Sequence, residues 1–204
     1  STDFNVLFLP WHMYMDYSWL PNRDKRLQCP ARQFFDKPII QGDNIEVLGI
    51  YSQSTNPISK YMEFLLRKSD RINNFGELLA PLNVKYIILV HEADYKRYGF
   101  LYRQKDLEVV LEKPGITLFR NKHPTARIYA VDSVVHIESL EEYLELSKKQ
   151  DVMEHLYILG NSPSEGGNSP LSSLSLQTTG DPQIFVTGMQ KLSFVEKSPV
   201  KYRV

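Results

Sequence analysis

The stretch Val84-Lys85-Tyr86-Ile87-Ile88-Leu89-Val90, entered through Gly76-Glu77-Leu78-Leu79-Ala80-Pro81-Leu82-Asn83, decides how this chain is read. Apart from Lys85, every residue of the heptad is β-branched, aromatic or aliphatic, the composition of a central strand covered on both faces. Just ahead of it, Asn74 and Glu77 stand at capping-box spacing for a short helix carrying Leu78, Leu79 and Leu82. Asn83 suits the left-handed stop that ends such a helix. A helix handing directly to a buried strand points to an α/β domain.

Upstream, Pro57 suits the first position of a helix capped by Asn56, with Ile58, Tyr61, Met62, Leu65 and Leu66 on one face. Residues 5–10 form a short apolar run closed by Pro10, a buried strand. Residues 22–37 are polar and without period and read as loop, and residues 45–50 as a second strand or a turn-rich connection. Downstream, residues 107–112 and 116–120 flank Lys113-Pro114-Gly115, where Pro-Gly fits a type II turn, which reads as a hairpin or a tight strand–strand connection. Residues 127–137 read as one long strand, Ser139 and Glu142 as a capping box for a helix ending near Lys148-Lys149, and 155–159 as a further strand. The expected fold is a mixed-sheet α/β domain over 1–159. A Ser/Gly/Pro-rich loop or linker follows at 160–182, then strands at 183–204 that begin a truncated or small β-rich region. The last strand is expected to continue into a larger protein.

Composition bounds the function. The 204 residues carry 24 Lys+Arg against 24 Asp+Glu, so the excess of positive charge that phosphate neutralisation needs is missing. The same balance argues against a polybasic membrane patch. A single cysteine excludes an internal disulfide and a cysteine zinc cage. No run approaches the roughly 20 apolar residues of a membrane span, and no charged-then-apolar leader opens the chain.

The segment between Pro10 and Pro21 is the most suggestive for ligand contact. It holds both tryptophans, and Trp11, His12, Tyr14, Asp16, Tyr17 and Trp19 form the candidate site. Aromatic faces stack on sugar rings or bury at interfaces, and His12 and Asp16 can bind hydroxyl groups. The plainer reading is a core loop that tucks its tryptophans inward. A metal site would draw on His12, Asp16, His91 and Asp94, with Glu92 near the last pair, but no paired-histidine motif supports it. Ligands of α/β folds gather at the carboxyl ends of strands, which keeps residues 91–94 in view. Cys29 lies in a polar loop with no assignable base, no Gly-x-Ser-x-Gly elbow occurs, and no phosphate cradle is present. No catalytic residue and no cofactor are assigned.

Residues 76–89 resemble the helix-then-strand passage of the YfhO-type family and related archaeal multi-spanning glycosyltransferase-like membrane proteins. Val110-Leu111-Glu112-Lys113, Ile116-Thr117-Leu118-Phe119-Arg120-Asn121 and Pro124-Thr125-Ala126-Arg127-Ile128-Tyr129-Ala130-Val131 are similar to strands that follow there. The helix at 139–149 and the Ser198-Pro199-Val200-Lys201-Tyr202-Arg203-Val204 ending have counterparts as well. Thr125-Ala126-Arg127 departs from the family's Pro-Arg-Ala order, and the terminal β-sandwich is missing.

The resemblance implies an extracytoplasmic domain, held at the cell membrane, of a polytopic protein like the lipid-linked-sugar glycosyltransferases. The family's catalytic acids lie in the helical region, so none maps onto this chain. The implied role is non-catalytic: positioning an acceptor glycan or lipid-linked sugar, or bracing the membrane-embedded part of the same polypeptide, with no nucleic-acid partner. A free-standing metal-dependent hydrolase and a protein-binding scaffold are the competing readings.

Overall fold

The structure is a computed structural model. It describes residues 3–22, 25–47, 50–127 and 129–160, and the backbone of 183–186 and 192–195. The chain divides into two compact units, residues 1–126 and 127–204.

In the first unit, β1 (Asn5–Leu9) leads into a small hairpin of β2 (Tyr14–Met15) and β3 (Leu27–Gln28), then a single helical turn, α1 (Ala31–Phe34). Thus residues 22–37 are not wholly loop: the hairpin is closed by pairing of Tyr14 with Gln28 and Met15 with Leu27, which no local period announces. Next come β4 (Ile39–Ile40), the hairpin β5 (Ile45–Val47) and β6 (Ile50–Ser52), α2 (Pro57–Arg67), α3 (Phe75–Leu79), β7 (Val84–Val90), β8 (Leu107–Lys113) and β9 (Ile116–Asn121). Five of these strands form one sheet in the order β4-β1-β7-β9-β8. β1 is parallel to both neighbours, whereas β9 is antiparallel to β7 and to β8. The domain is therefore α/β with a mixed sheet.

Period-two alternation gives the sheet two apolar faces. Val6, Phe8 and Ile88 point to one side, where Met15, Cys29 and Ala31 join them with Tyr17 and Leu118 packed alongside. The described residues between 13 and 37 thus form an irregular layer over that face. Leu7, Leu9, Ile87, Leu89 and Phe119 have the opposite parity and are at most 1% exposed. On that side stand the helices, whose buried residues include Tyr61, Met62, Leu65, Leu78 and Leu79. The Tyr61 hydroxyl ties α2 to α3 by donating to Leu78 O at 2.8 Å.

Local signals account for many boundaries. Asn56 caps α2, accepting from Ile58 N at 3.0 Å. Asn83 takes φ 55° and Gly115 takes φ 89° in the β8–β9 turn. The capping box expected at α3 is replaced. Asn74 makes no backbone cap, and its Nδ2 donates instead to Glu77 Oε2. The first N–H groups of α3 go to distant acceptors: Phe75 N donates to Gln104 Oε1 at 3.0 Å and Glu77 N to Asp106 Oδ2 at 2.9 Å. A one-and-a-half-turn helix is too short to hold itself, so its N-terminal N–H groups are satisfied from the segment after the 3-10 helix Tyr95–Arg103.

In the second unit the single strand expected over 127–137 is two, β10 (Ala130–Val131) and β11 (Ser133–Ile137). At the break, Asp132 N donates to Glu154 O. β11, α4 (Leu140–Leu146) and β12 (His155–Leu159) form a β-α-β unit with β11 parallel to β12. Its core includes Ile137, Tyr143, Leu144, Val152 and Leu156, with Tyr143 edge-on to Tyr157 at 4.7 Å. Ser139 Oγ caps α4 by accepting from Glu142 N. β13 (Gln183–Val186) and β14 (Leu192–Val195) occur where strands are expected, antiparallel to each other, with β14 parallel to β10. The expected linker, save Gly160, and residues 196–204 lie outside the described residues.

Candidate functional site

The chain places β4 on one side of β1 and then crosses to place β7 on the other. In open α/β sheets such a reversal opens a crevice at the carboxyl ends of the strands. Here that end is built from residues 10–19 after β1, 41–46 after β4 and 91–94 after β7.

His12 is the centre. Its Nδ1 lies 3.0 Å from Glu46 Oε2 and its Nε2 3.0 Å from Asp94 Oδ1, so one ring links all three segments. The Asp94 hydrogen bond raises the His12 pKa, burial opposes it, and the Glu46 bond adds in the upward direction. Asp94 moves the other way, lowered first by the His12 hydrogen bond, with Arg97 contributing from 3.3 Å. In the imidazolium form each ring N–H donates to one carboxylate, which leaves neither a lone pair for a metal nor a free N–H for a substrate.

The backbone is arranged around this clamp. Ala93, between Glu92 and Asp94, sits at φ 50°, a left-handed conformation a Cβ disfavours. Trp11 N donates to Tyr98 Oη at 2.8 Å. Gly42 passes so close to this segment that a Cβ there would stand 2.6 Å from His12 N. Only glycine lets the chain leaving β4 cross at that distance.

The aromatic segment is split by depth. Trp11 is 8% exposed and buried, whereas Trp19 is 64% exposed with Tyr17 beside it, ring centroids 5.4 Å apart. Trp11 is thus tucked inward, as the plainer reading expects of both tryptophans, whereas Trp19 lies at the surface. Ser18 anchors the outer part, donating N–H to Glu92 Oε2 at 2.7 Å and Oγ–H to Glu92 Oε1 at 2.9 Å. Burial pushes the Tyr17 phenol up to about 12. Tyr14 is half-buried in the β2–β3 hairpin, and Asp16 is exposed.

Of the residues weighed for a metal, His12 and Asp94 meet, but as an ion pair. His91 turns away to Thr117 Oγ1 at 2.9 Å and stacks on Tyr95. Among the described residues no group of three or more His, Cys, Asp and Glu could hold a metal ion. Cys29 is buried, and burial pushes its thiol up.

Sequence reasoning missed Glu46, Gln41, Asp43 and Tyr98. Trp11 Nε1, Tyr17 Oη, Gln41 Oε1 and Asp43 Oδ1 are buried polar atoms with no hydrogen-bond partner among the described residues. All four belong to the segments leaving β1 and β4. The one available signal was Gly42 beside Gln41 and Asp43 after an apolar pair, which marks a turn and no particular chemistry.

Fold and site define a mixed-sheet α/β domain with a carboxylate–imidazole–carboxylate clamp and an exposed indole at the carboxyl end of its parallel strands. No family model, curated protein or solved structure matches the chain.

Proposed function

We propose that this chain is a non-catalytic extracytoplasmic domain of a polytopic membrane protein resembling the lipid-linked-sugar glycosyltransferases, and that it positions an acceptor glycan at the carboxyl end of its sheet. The observation that supports this is the exposed Trp19 with Tyr17 beside it, on a segment that Ser18 ties to the Glu92 carboxylate after β7. An indole face packs against the C–H face of a pyranose, while nearby acceptors and donors take the ring hydroxyls. The His12 clamp holds the three loops in register and takes no part in chemistry, because both its nitrogens are committed. The membrane-embedded part of the same polypeptide is the second partner in this reading, with the domain at the cell membrane.

Titration of neutral oligosaccharides, followed by tryptophan fluorescence and calorimetry, tests the glycan half. Trp19→Ala is expected to weaken binding at least about tenfold, the worth of one aromatic face, with the thermal unfolding unchanged. Saccharides that leave the fluorescence of the unsubstituted protein untouched would sink it. Binding to a protein partner that needs Trp19, with saccharides at background, would assign the surface to a scaffold role instead. A reading frame with no apolar spans upstream of Ser1 would remove the membrane half.

A further inference from the structure

The layer formed by residues 13–37 has two sides of opposite character. Its inner side, Met15, Tyr17, Cys29 and Ala31, packs on the sheet. Its outer side runs through residues 25–28 and 32–38, all exposed. There Leu27, Phe34 and Phe35 are 42%, 77% and 41% exposed. Single exposed apolar side chains are ordinary, but three within nine residues, two of them adjacent phenyl rings, call for a partner.

Cations are interleaved with them. Lys25, Arg26, Arg32 and Lys37 occupy the same exposed stretches, against Asp36 as the one described acid there. None of the described ion pairs takes up Lys25, Arg26 or Arg32. Arg26 Nη1 donates to the backbone oxygen of Glu46, and Lys37 Nζ lies 5.0 Å over the Phe4 ring. Because the whole chain balances 24 cations with 24 anions, this stretch is a segregation of positive charge and not a reflection of composition.

We propose that the outer side of residues 25–37 docks on an anionic lipid bilayer. Phe34, Phe35 and Leu27 enter the headgroup boundary, while Lys25, Arg26, Arg32 and Lys37 meet lipid phosphates. Apolar rings flanked by basic side chains suit this interface, because the rings leave water while the long cationic stems reach the phosphate plane. Each cation near an anionic surface strengthens the attraction, and both sources add. A nucleic acid would also engage the cations, but it offers Leu27 no apolar partner. A bilayer accommodates all three apolar side chains. The inference goes beyond the glycan reading and uses none of its residues, so the two stand or fall separately.

The test is co-sedimentation of the 204-residue chain with vesicles of phosphatidylglycerol and phosphatidylcholine, against phosphatidylcholine alone. The expected result is preferential binding to the anionic vesicles that declines as salt is raised. Joint Phe34→Ser and Phe35→Ser is expected to weaken it about tenfold or more. Lys25→Glu and Arg32→Glu are each expected to weaken it about fivefold or more. Trp19→Ala should leave it unchanged. Circular dichroism confirms the fold of each variant. Should the double phenylalanine variant fail to fold, the two charge reversals, at exposed positions, carry the test alone. Equal partition onto both vesicle types, or anionic binding that survives both charge reversals, overturns the proposal. So does an oligonucleotide that binds more tightly than the vesicles at the same salt and displaces them.

Discussion

His12 is the residue on which the carboxyl end of the sheet depends. Replacing it with alanine leaves Glu46 and Asp94 without their shared donor, in half-buried positions. We expect His12→Ala to cost about 2–3 kcal/mol near pH 5–6, read from urea unfolding. The pH dependence follows from two opposite shifts. The His12 pKa is raised above its ordinary 6.5, so its stabilisation is fully present below that value and is lost as pH rises through the folded-state pKa. The Asp94 pKa is lowered below 3.8, so its stabilisation is present above that value and is lost as pH falls through the folded-state pKa. The gap between native and substituted protein should therefore be widest from 3.8 to 6.5 and narrow on either side. A gap that stays constant well into alkaline pH would show that the imidazole never carries its charge in the clamp.

At the scale of elements, α3 shows how a short helix is held from outside. Gln104 is 6% exposed, and its amide is fully used: Oε1 accepts from Phe75 N, and Nε2 donates to Ile72 O at 2.9 Å and to Phe100 O at 3.3 Å. Gln104→Ala removes the acceptor of one buried N–H and the donor to two carbonyls together, and we expect a loss of about 2–4 kcal/mol in chemical denaturation. A loss no larger than that of an exposed substitution would mean α3 is capped by other means. This is also where local reading misled. Asn74 and Glu77 have the spacing of a capping box, yet their side chains bond to each other while acceptors some 30 residues away serve the backbone. By contrast Asn56 and Ser139 do cap their helices, because their geometry is settled within one turn. The strand β7 was legible for a similar reason: a central strand needs apolar residues on both faces, and only its own sequence can supply them.

At the scale of the molecule, all five strands of the main sheet, both helices on one face and the irregular layer on the other fall within residues 1–126. That unit contains its own core, so we expect a fragment of residues 1–126 to unfold in one cooperative transition. Calorimetry checks this, and a broad, non-cooperative melt would show that the sheet needs residues beyond 126. Charge reads differently at this scale too. A net charge of zero argued against a polybasic surface, but a total carries no information on distribution, and Lys25, Arg26, Arg32 and Lys37 are all exposed within thirteen residues that hold Asp36 as the one acid.

The amino-acid sequence by itself determined the α/β class, the β7 strand, the β8–β9 hairpin and the caps of α2 and α4. Each rests on side-chain period or turn chemistry that acts over a few residues. Only the tertiary structure decided that His12 joins Glu46 and Asp94 across 34 and 82 residues, and that Trp11 is core while Trp19 is surface. It also decided that His91 turns to Thr117 Oγ1 and stacks on Tyr95, away from His12 and Asp94. Those outcomes depend on which strand ends the sheet brings side by side. Strand order is set by non-local pairing, whose partners no local window of sequence contains.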